Sequence, residues 1–346
     1  MELKIGIIGA GIIGLYTGYI LLKEDYEVDI YEARHKVGYG ASTLNPGVLN
    51  MLQHPFRSFK TKLMLEGNRL HRLYSEELGY NIMDVDLVMV YKDLIHRVIS
   101  PLVPTYMRRY GIELRRIGED DLKKNYPDVN PIYKGAFIVS GYGIVNPYEV
   151  LDRLVDGIRE LGGRIFFNRR ISRVMGEPVL EGVEYDYVVV SAGPYTLDIT
   201  RNIDPKPPKQ RFGKGVMVIV SCNLDYILNE FRVRRMRYTK GGAIIPYYKG
   251  KWCIIGPSFE WVDTKENVEV EREEAYRVYL EYVDLLRDMP EIIDYMAGVR
   301  IVNYPKDEWI IKKIDRFIIP YGIDSPGLTA APALAKYIMD MMIKGD

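Results

Sequence analysis

Gly9-Ala10-Gly11-Ile12-Ile13-Gly14 follows the apolar run Ile5-Gly6-Ile7-Ile8, and Glu32 stands 18 residues beyond the third glycine. A strand, a glycine turn and a helix start in that order aim backbone N–H groups and the positive end of a helix at a pyrophosphate. Gly9 permits the turn, Gly11 lets a diphosphate approach the backbone, and Gly14 lets helix pack on strand. A carboxylate ending the next strand, Glu27 to Tyr31, takes the ribose hydroxyls. The glycine pattern alone is a weak signal. With the strand before it, the apolar helix after it and the acid in place, it reads as a dinucleotide-binding βαβ unit.

Working outward, 346 residues exceed the size at which one core stops growing, so two domains are expected. Basic and acidic residues balance at 47 each, so no global field attracts nucleic acid or an anionic membrane. The apolar N-terminus is broken by glycines and followed by Lys23, Glu24 and Asp25, which suits neither a signal peptide nor a membrane span. Cys222 and Cys253 are too few and too far apart for a disulfide framework or a cluster. They are expected to pack as small hydrophobes in a reducing cytosol. No metal site is expected. The bias toward Glu, Lys, Arg, Tyr and Ile, with only Gln53 and Gln210 as glutamines, looks thermophilic.

No internal repeat appears. A turn-rich loop, Gly38 to Gly47, follows the opening unit. Lys60 to Leu78 reads as an amphipathic helix ended by Gly79, Asp84 to Tyr91 as a strand, and Ile95 to Tyr110 as a helix. Ala136 to Val145 is strand-like, and Pro147 starts a helix running to Leu161. Arg164 to Asn168 and Tyr185 to Val190 read as strands returning to the nucleotide-binding sheet. Val216 to Ser221, Gly242 to Tyr248 and Lys251 to Gly256 are β-rich, the last two forming a hairpin. Val270 to Arg287 reads as a helix, Arg316 to Pro320 as a strand, and Leu328 to Ile343 as a closing helix with Pro332 near its start.

Four stretches resemble flavoproteins of the D-amino-acid oxidase superfamily, on its glycerol-3-phosphate dehydrogenase and 2-hydroxyglutarate dehydrogenase side. The first is the fingerprint with Glu32. The second is Gly40-Ala41-Ser42 through Asn45-Pro46-Gly47-Val48, with Lys62 to Arg69. The third is Gly143 to Glu149. The fourth is Ala297-Gly298-Val299-Arg300 with the string Gly322 to Pro332, which family members carry nearly unchanged. The resemblance implies FAD as the dinucleotide. It also implies a fold that is α/β with an α+β second domain: a Rossmann-like FAD-binding domain in segments 1–82, 140–200 and 296–346, and an inserted antiparallel β-sheet substrate domain over 83–139 and 201–295.

On that resemblance the cofactor-binding set is Gly9, Gly11, Ile12, Ile13, Gly14, Glu32, Ala33 and Arg34, then Gly40, Ala41, Ser42, Asn45, Pro46 and Gly47. Ala192, Gly193, Arg300, Ser325, Pro326, Gly327, Leu328 and Thr329 complete it. A glycine-rich loop ahead of a helix places N–H donors beside the flavin pyrimidine, where charge accumulates on reduction. Three departures stand out. Asn50 occupies the position where 2-hydroxyglutarate-type relatives carry a histidine, the chain stops after the closing helix, and Gly18 stands where relatives place alanine. The last costs about 1 kcal/mol of helix propensity.

The candidate catalytic residues are Arg300, Tyr248, Asn50 and His54. Relatives use the arginine matching Arg300 to clamp a phosphate or carboxylate, for which a guanidinium offers a charged, planar fork. Lys312 or Lys313 is a candidate second cation. His35 lies at the adenosine end, His71 and His96 are expected to be exposed on charged helices, and His54 is placed to reach the flavin from its loop. The substrate domain has no histidine, which leaves Tyr247, Tyr248 or a water as proton acceptor. The expected activity is a FAD-dependent dehydrogenase of a small anionic alcohol, glycerol 3-phosphate first and a 2-hydroxy acid second. A separate acceptor (quinone, dye or protein) then takes the electrons. The alternatives are a FAD-dependent amino-acid or secondary-amine oxidase and a non-catalytic FAD-binding subunit. Oxidases related to sarcosine oxidase place a lysine on the strand that here reads Trp252-Cys253-Ile254-Ile255-Gly256, and its apolar character favours the dehydrogenase. The expected location is cytoplasmic, with at most peripheral contact at the inner face of the membrane.

Overall fold

The computed structural model describes residues 3–92, 100–231, 242–247 and 251–343. Among these the chain forms 18 strands, numbered in chain order. One sheet has the order β17 (Ile310–Ile314), β18 (Phe317–Tyr321), β10 (Tyr187–Val190), β1 (Lys4–Ile8), β2 (Glu27–Tyr31), β7 (Arg164–Phe166). Its neighbours are parallel except for the β17–β18 pair. The second runs β15 (Glu260–Val262), β11 (Gln210–Ser221), β14 (Trp252–Gly256), β13 (Ala243–Pro246), β12 (Ile227–Glu230), β4 (Met83–Tyr91), β6 (Gly135–Ile144), β3 (Val48–Leu49). There β16 (Ile292–Asn303) pairs with β11, and β5 (Arg115–Gly118) with β6. This sheet is antiparallel apart from β12 beside β4. A small ribbon joins β8 (Val179–Leu180) to β9 (Val183–Glu184).

The parallel sheet is built as its apolar strands require: Ile5, Ile7, Ile30 and Val189 are fully buried, and helices cover them. The first helix, Ile12–Lys23, buries every residue from Ile12 to Leu22. Gly18 on it has a packing reason, because a Cβ there would stand 2.8 Å from Ile30 Cδ1. Alanine would require the Ile30 tip to shift. The helix Pro147–Glu160 starts with Asn146 capping the Tyr148 amide at 3.1 Å. The helix Phe59–Leu78 runs from the Ser58 cap to Gly79 in the left-handed region, φ 74°. It packs along the closing helix Gly327–Ile343, and Gly67 is the crossing point. A Cβ on Gly67 would overlap the Thr329 carbonyl oxygen and stand 2.7 Å from Ala330 Cα.

Several expectations are corrected. Eight strands went unread: the short β3, β5, β8, β9, β12 and β15, the long β16, whose first half is exposed, and the half-buried edge strand β17. Residues 140–144 and 296–303, expected in the nucleotide domain, are strands of the second sheet. The helix expected over Val270 to Arg287 is Arg272–Tyr282 followed by a 3-10 turn. Of the helix expected over Ile95 to Tyr110, the described part is a 3-10 turn and Val103–Arg108. Cys222 and Cys253 are paired as a disulfide rather than packed as free thiols. The antiparallel register sets Val220 opposite Cys253, which brings the two Cα atoms to 5.5 Å, a disulfide separation.

Candidate active site

At the fingerprint, Gly9 takes φ 101° and donates its N–H to the Tyr31 carbonyl at 2.9 Å, which locks the turn. Gly14 lies beneath it, where any Cβ would overlap the Gly9 carbonyl oxygen. The Glu32 carboxylate accepts from the Ala10 amide at 2.9 Å and the Arg34 amide at 2.8 Å, so it is held at the mouth of the turn. Ser42 Oγ accepts from the Ile12 amide at 3.0 Å. The amides of Gly11 and Ile13 have no partner among the described residues, which leaves two donors at a helix start for an anion. The 38–47 loop is braced by Asn45, whose amide donates to the carbonyls of Ala41 and Ser42 at 2.9 Å and whose oxygen accepts from Gly47 N–H at 2.9 Å.

A cavity of about 710 Å³ runs past these residues. Gly9, Gly11, Ile12, Ile13, Glu32, Ala33, Arg34, Gly40, Ala41, Ser42, Asn45 and Pro46 line it, as do Ala192, Gly193, Arg300 and Ser325 to Thr329. Gly14 and Gly47 do not; each sits one layer back, close against backbone. The volume is that of a cofactor site. The donor set fits a dinucleotide: free helix-start amides in the middle, a carboxylate at one end, and the first turn of the closing helix at the other. A second cavity, of about 840 Å³, shares only Tyr142 with it and includes none of the fingerprint.

Arg300 lines the cavity within electrostatic reach of Asp324, which precedes the closing helix. Its side chain lies in a notch where β11 has Gly213 and Gly215, and a Cβ on Gly215 would overlap Nη2. The guanidinium is 5.5 Å from the Phe259 ring, and no hydrogen bond or ion pair to it is found among the described residues. Burial pulls its pKa below the ordinary value, while Asp324 and Asp307 oppose that. An arginine remains charged under such a shift. The Asp324 carboxylate is itself held by Lys60 Nζ at 2.7 Å and Trp309 Nε1 at 2.9 Å. Burial disfavours the Lys60 charge, but Asp324 and Asp307 outweigh it and raise its pKa.

The other candidates divide. Asn50 lines the cavity, where its backbone N–H donates to Thr329 Oγ1 at 3.0 Å and its side-chain amide to the Val48 carbonyl at 3.2 Å. A neutral amide cannot serve as the base that a histidine there would be. His54 is exposed outside the cavity with its ring against Phe56, because its loop turns outward. Tyr248 and His96 lie outside the described residues. Tyr247 packs beside Trp252 and does not line the cavity. Lys312 is bound to Asp204 at 2.8 Å, and Lys313 lies over the Tyr187 ring; neither borders the site. Sequence reading missed Tyr142, Asn229, Ser258 and Phe259, all in the lining, and the Lys60–Asp324 pair. No motif marks them, since they converge from distant strands. No grouping of three metal-type ligands is found among the described residues.

His71 is fully buried rather than exposed. Burial, with Arg72 adding to it, lowers its pKa from 6.5 to about 4, and the Leu328 carbonyl opposes this only in part. The native state therefore favours neutral imidazole. Its stability contribution is complete above pH 6.5 and is lost as pH falls toward 4, about 3 kcal/mol at 1.36 kcal/mol per pKa unit. Thermal melts between pH 7 and 4 should show this fall, and it should flatten in His71→Gln. Equal slopes in both proteins would refute it.

Comparison with known proteins agrees with the geometry. Glycerol 3-phosphate dehydrogenase of Caloramator mitchellensis is 24% identical over 361 residues, covering 98% of this chain and 73% of that protein. FAD-bound L-alpha-glycerophosphate oxidase from Mycoplasma pneumoniae superposes with a TM-score of 0.85 at 18% identity, covering 100% and 96% of the two chains. Glycine oxidase from Geobacillus kaustophilus gives the same TM-score, identity and coverage. No helix among the described residues is long and apolar enough to cross a membrane. The model of the DAO family, described as FAD dependent oxidoreductase, matches residues 4–341. A fingerprint turn, a carboxylate and a closing-helix turn around one cavity, inside a family match of that extent, make this chain an enzyme of the DAO family of FAD-dependent oxidoreductases, with FAD as its cofactor.

Proposed function

We propose that the enzyme oxidises a small anionic alcohol, glycerol 3-phosphate first and a 2-hydroxy acid next. The supporting observation is Arg300, a half-buried residue in the cavity lining near Asp324, with no hydrogen-bond or ion-pair partner to its guanidinium among the described residues. A substrate phosphate or carboxylate completes that pair. The names of the curated relatives point the same way. Gly11 and Ile13 amides would hold the FAD pyrophosphate, Glu32 the ribose, and the Leu328–Thr329 turn the flavin pyrimidine. The flavin, when bound, supplies the acceptor for the substrate hydride. Around it, Leu87, Met89, Met217, Ile227 and Ile245 exclude water, while Asn229 and Ser258 offer polar contacts. Burial raises the Tyr142 pKa, so its hydroxyl keeps its proton and serves as a donor rather than a base.

One observation favours amino-acid or secondary-amine oxidation as a second reading. The described lining contains no histidine and no lysine. An amine that enters uncharged brings its own lone pair, whereas an alcohol must lose a proton to something. Anaerobic bleaching of the purified holoprotein separates the two. Glycerol 3-phosphate should bleach the flavin within seconds, and glycine or proline should not; the reverse pattern would replace the alcohol reading with the amine one.

The acceptor is proposed to be a quinone, a dye or a protein rather than oxygen. The strand carrying Cys253, Ile254 and Ile255 is buried and apolar, so it presents no cation to favour charge on reduced flavin meeting oxygen. Reoxidation in air should be at least about ten-fold slower than reoxidation by dye, the factor that 1.4 kcal/mol of lost electrostatic help represents. Stopped-flow mixing reads both rates, and equal rates would make the enzyme an oxidase.

A further inference from the structure

The closing helix carries a proline in its second turn, and its consequence falls on one carbonyl. In a regular helix the Leu328 carbonyl would accept the N–H of residue 332, but Pro332 has none. A buried carbonyl without a donor is costly. His71 fills the gap from the neighbouring helix, with Nε2 2.9 Å from the Leu328 oxygen. A carbonyl only accepts, so Nε2 carries the proton and Nδ1 is the acceptor. Nδ1 stands 3.1 Å from both Tyr16 Oη and Tyr80 Oη. Tyr80 spends its one hydrogen on the His71 carbonyl at 2.8 Å, so the Tyr16 hydroxyl is left to serve Nδ1. Tyr16, His71 and Tyr80 are all buried, and none of this set borders the cavity.

We propose that His71 is a positioning residue for the cofactor: by replacing the hydrogen bond that Pro332 deletes, it fixes the first turn of the closing helix against the flavin end of the cavity. The turn it holds is the one that matters for binding, because Leu328 and Thr329 line the cavity. Thr329 Oγ1 also accepts from the Asn50 amide at 3.0 Å and donates to the Val48 carbonyl at 3.1 Å. A turn that drifts therefore carries the amide donors and Asn50 with it. One helical turn before His71, Gly67 lies against the Thr329 carbonyl, so the same helix face grips two successive residues. The proposal rests on FAD occupying the cavity and is independent of which substrate is oxidised.

The test measures FAD affinity of refolded apoprotein by quenching of flavin fluorescence, alongside apoprotein melting. His71→Phe keeps the ring volume and removes the donor, and should bind FAD about ten-fold more weakly, in line with an unpaired buried acceptor. Pro332→Ala in that background restores an N–H at residue 332, and should return the affinity to within about three-fold of the parent, since the helix then makes its own bond. His71→Gln, whose amide can still donate, should lose less than His71→Phe. A purely structural role predicts lower apoprotein melting with unchanged affinity in the folded protein. That result, or failure of Pro332→Ala to rescue, overturns the proposal. Should His71→Phe fail to fold, the doubly substituted protein and His71→Gln carry the same decision: both must fold and bind FAD.

Discussion

Turnover of an anionic substrate is expected to fall by about two to four orders of magnitude in Arg300→Ala, with FAD content unchanged. The size follows from leaving a desolvated anion without its partner, which costs about 3–5 kcal/mol. Nothing else in the lining supplies the missing charge there among the described residues: the other lining arginines are Arg34, Arg169 and Arg170, of which Arg34 donates its N–H to the Glu32 carboxylate, Arg169 donates its N–H to the Glu32 carbonyl, and Arg170 follows Arg169 in the chain. Arg300→Lys should recover part of the loss, because a lysine keeps the charge without the fork. Gly215→Ala should act in the same direction but more weakly, since its methyl would displace the guanidinium without removing it. Steady-state kcat/KM, set against the flavin-to-protein absorbance ratio, checks all three. Normal turnover in Arg300→Ala would mean that the anion binds elsewhere.

Gly67→Ala is expected to cost about 1–3 kcal/mol or more and to weaken FAD binding, although Gly67 does not line the cavity. The atoms its Cβ would meet are the Thr329 carbonyl and Ala330 Cα, which are backbone and cannot swing aside as a side-chain tip can. The two helices must separate, and the turn at Leu328 and Thr329 moves with them. Gly118→Ala is the control: a Cβ there meets nothing within 4 Å, and its φ is negative. Thermal melts of both proteins, with and without added FAD, should show Gly67→Ala losing stability in each condition and Gly118→Ala near the parent. A Gly67→Ala protein as stable as the parent would mean that the helix contact is looser than the geometry requires.

The nucleotide half was legible because its signals are local. A turn needing φ 101° at Gly9 calls for glycine, and an acid 18 residues past Gly14 can be counted along the chain. The substrate side was not local. Asn229, Phe259 and Tyr142 come from three strands or their ends and share no spacing, so only the folded sheet brings them together. His71 was misread for an instructive reason. The charged residues around it, Glu66, Arg69 and Arg72, made its helix look solvated, but His71 lies on the buried stripe with Met64, Gly67 and Tyr74. Strand β16 was hidden by its exposed first half, which blurs the alternation by which strands are recognised. The apolar-to-polar pattern also carried no trace of the cysteine pairing, since 31 residues separate the two sulfurs in sequence.

That pairing makes part of the enzyme a covalent ring. Residues 222 to 253 are closed on themselves, and the cavity-lining Ala243 and Ile245 belong to the ring rather than to a free hairpin. A single backbone cut anywhere inside it leaves one molecule, not two, until the disulfide is reduced. The cavity wall that carries Ala243 and Ile245 is thereby tethered at both ends, and its loss requires two separate chemical events, proteolysis and reduction.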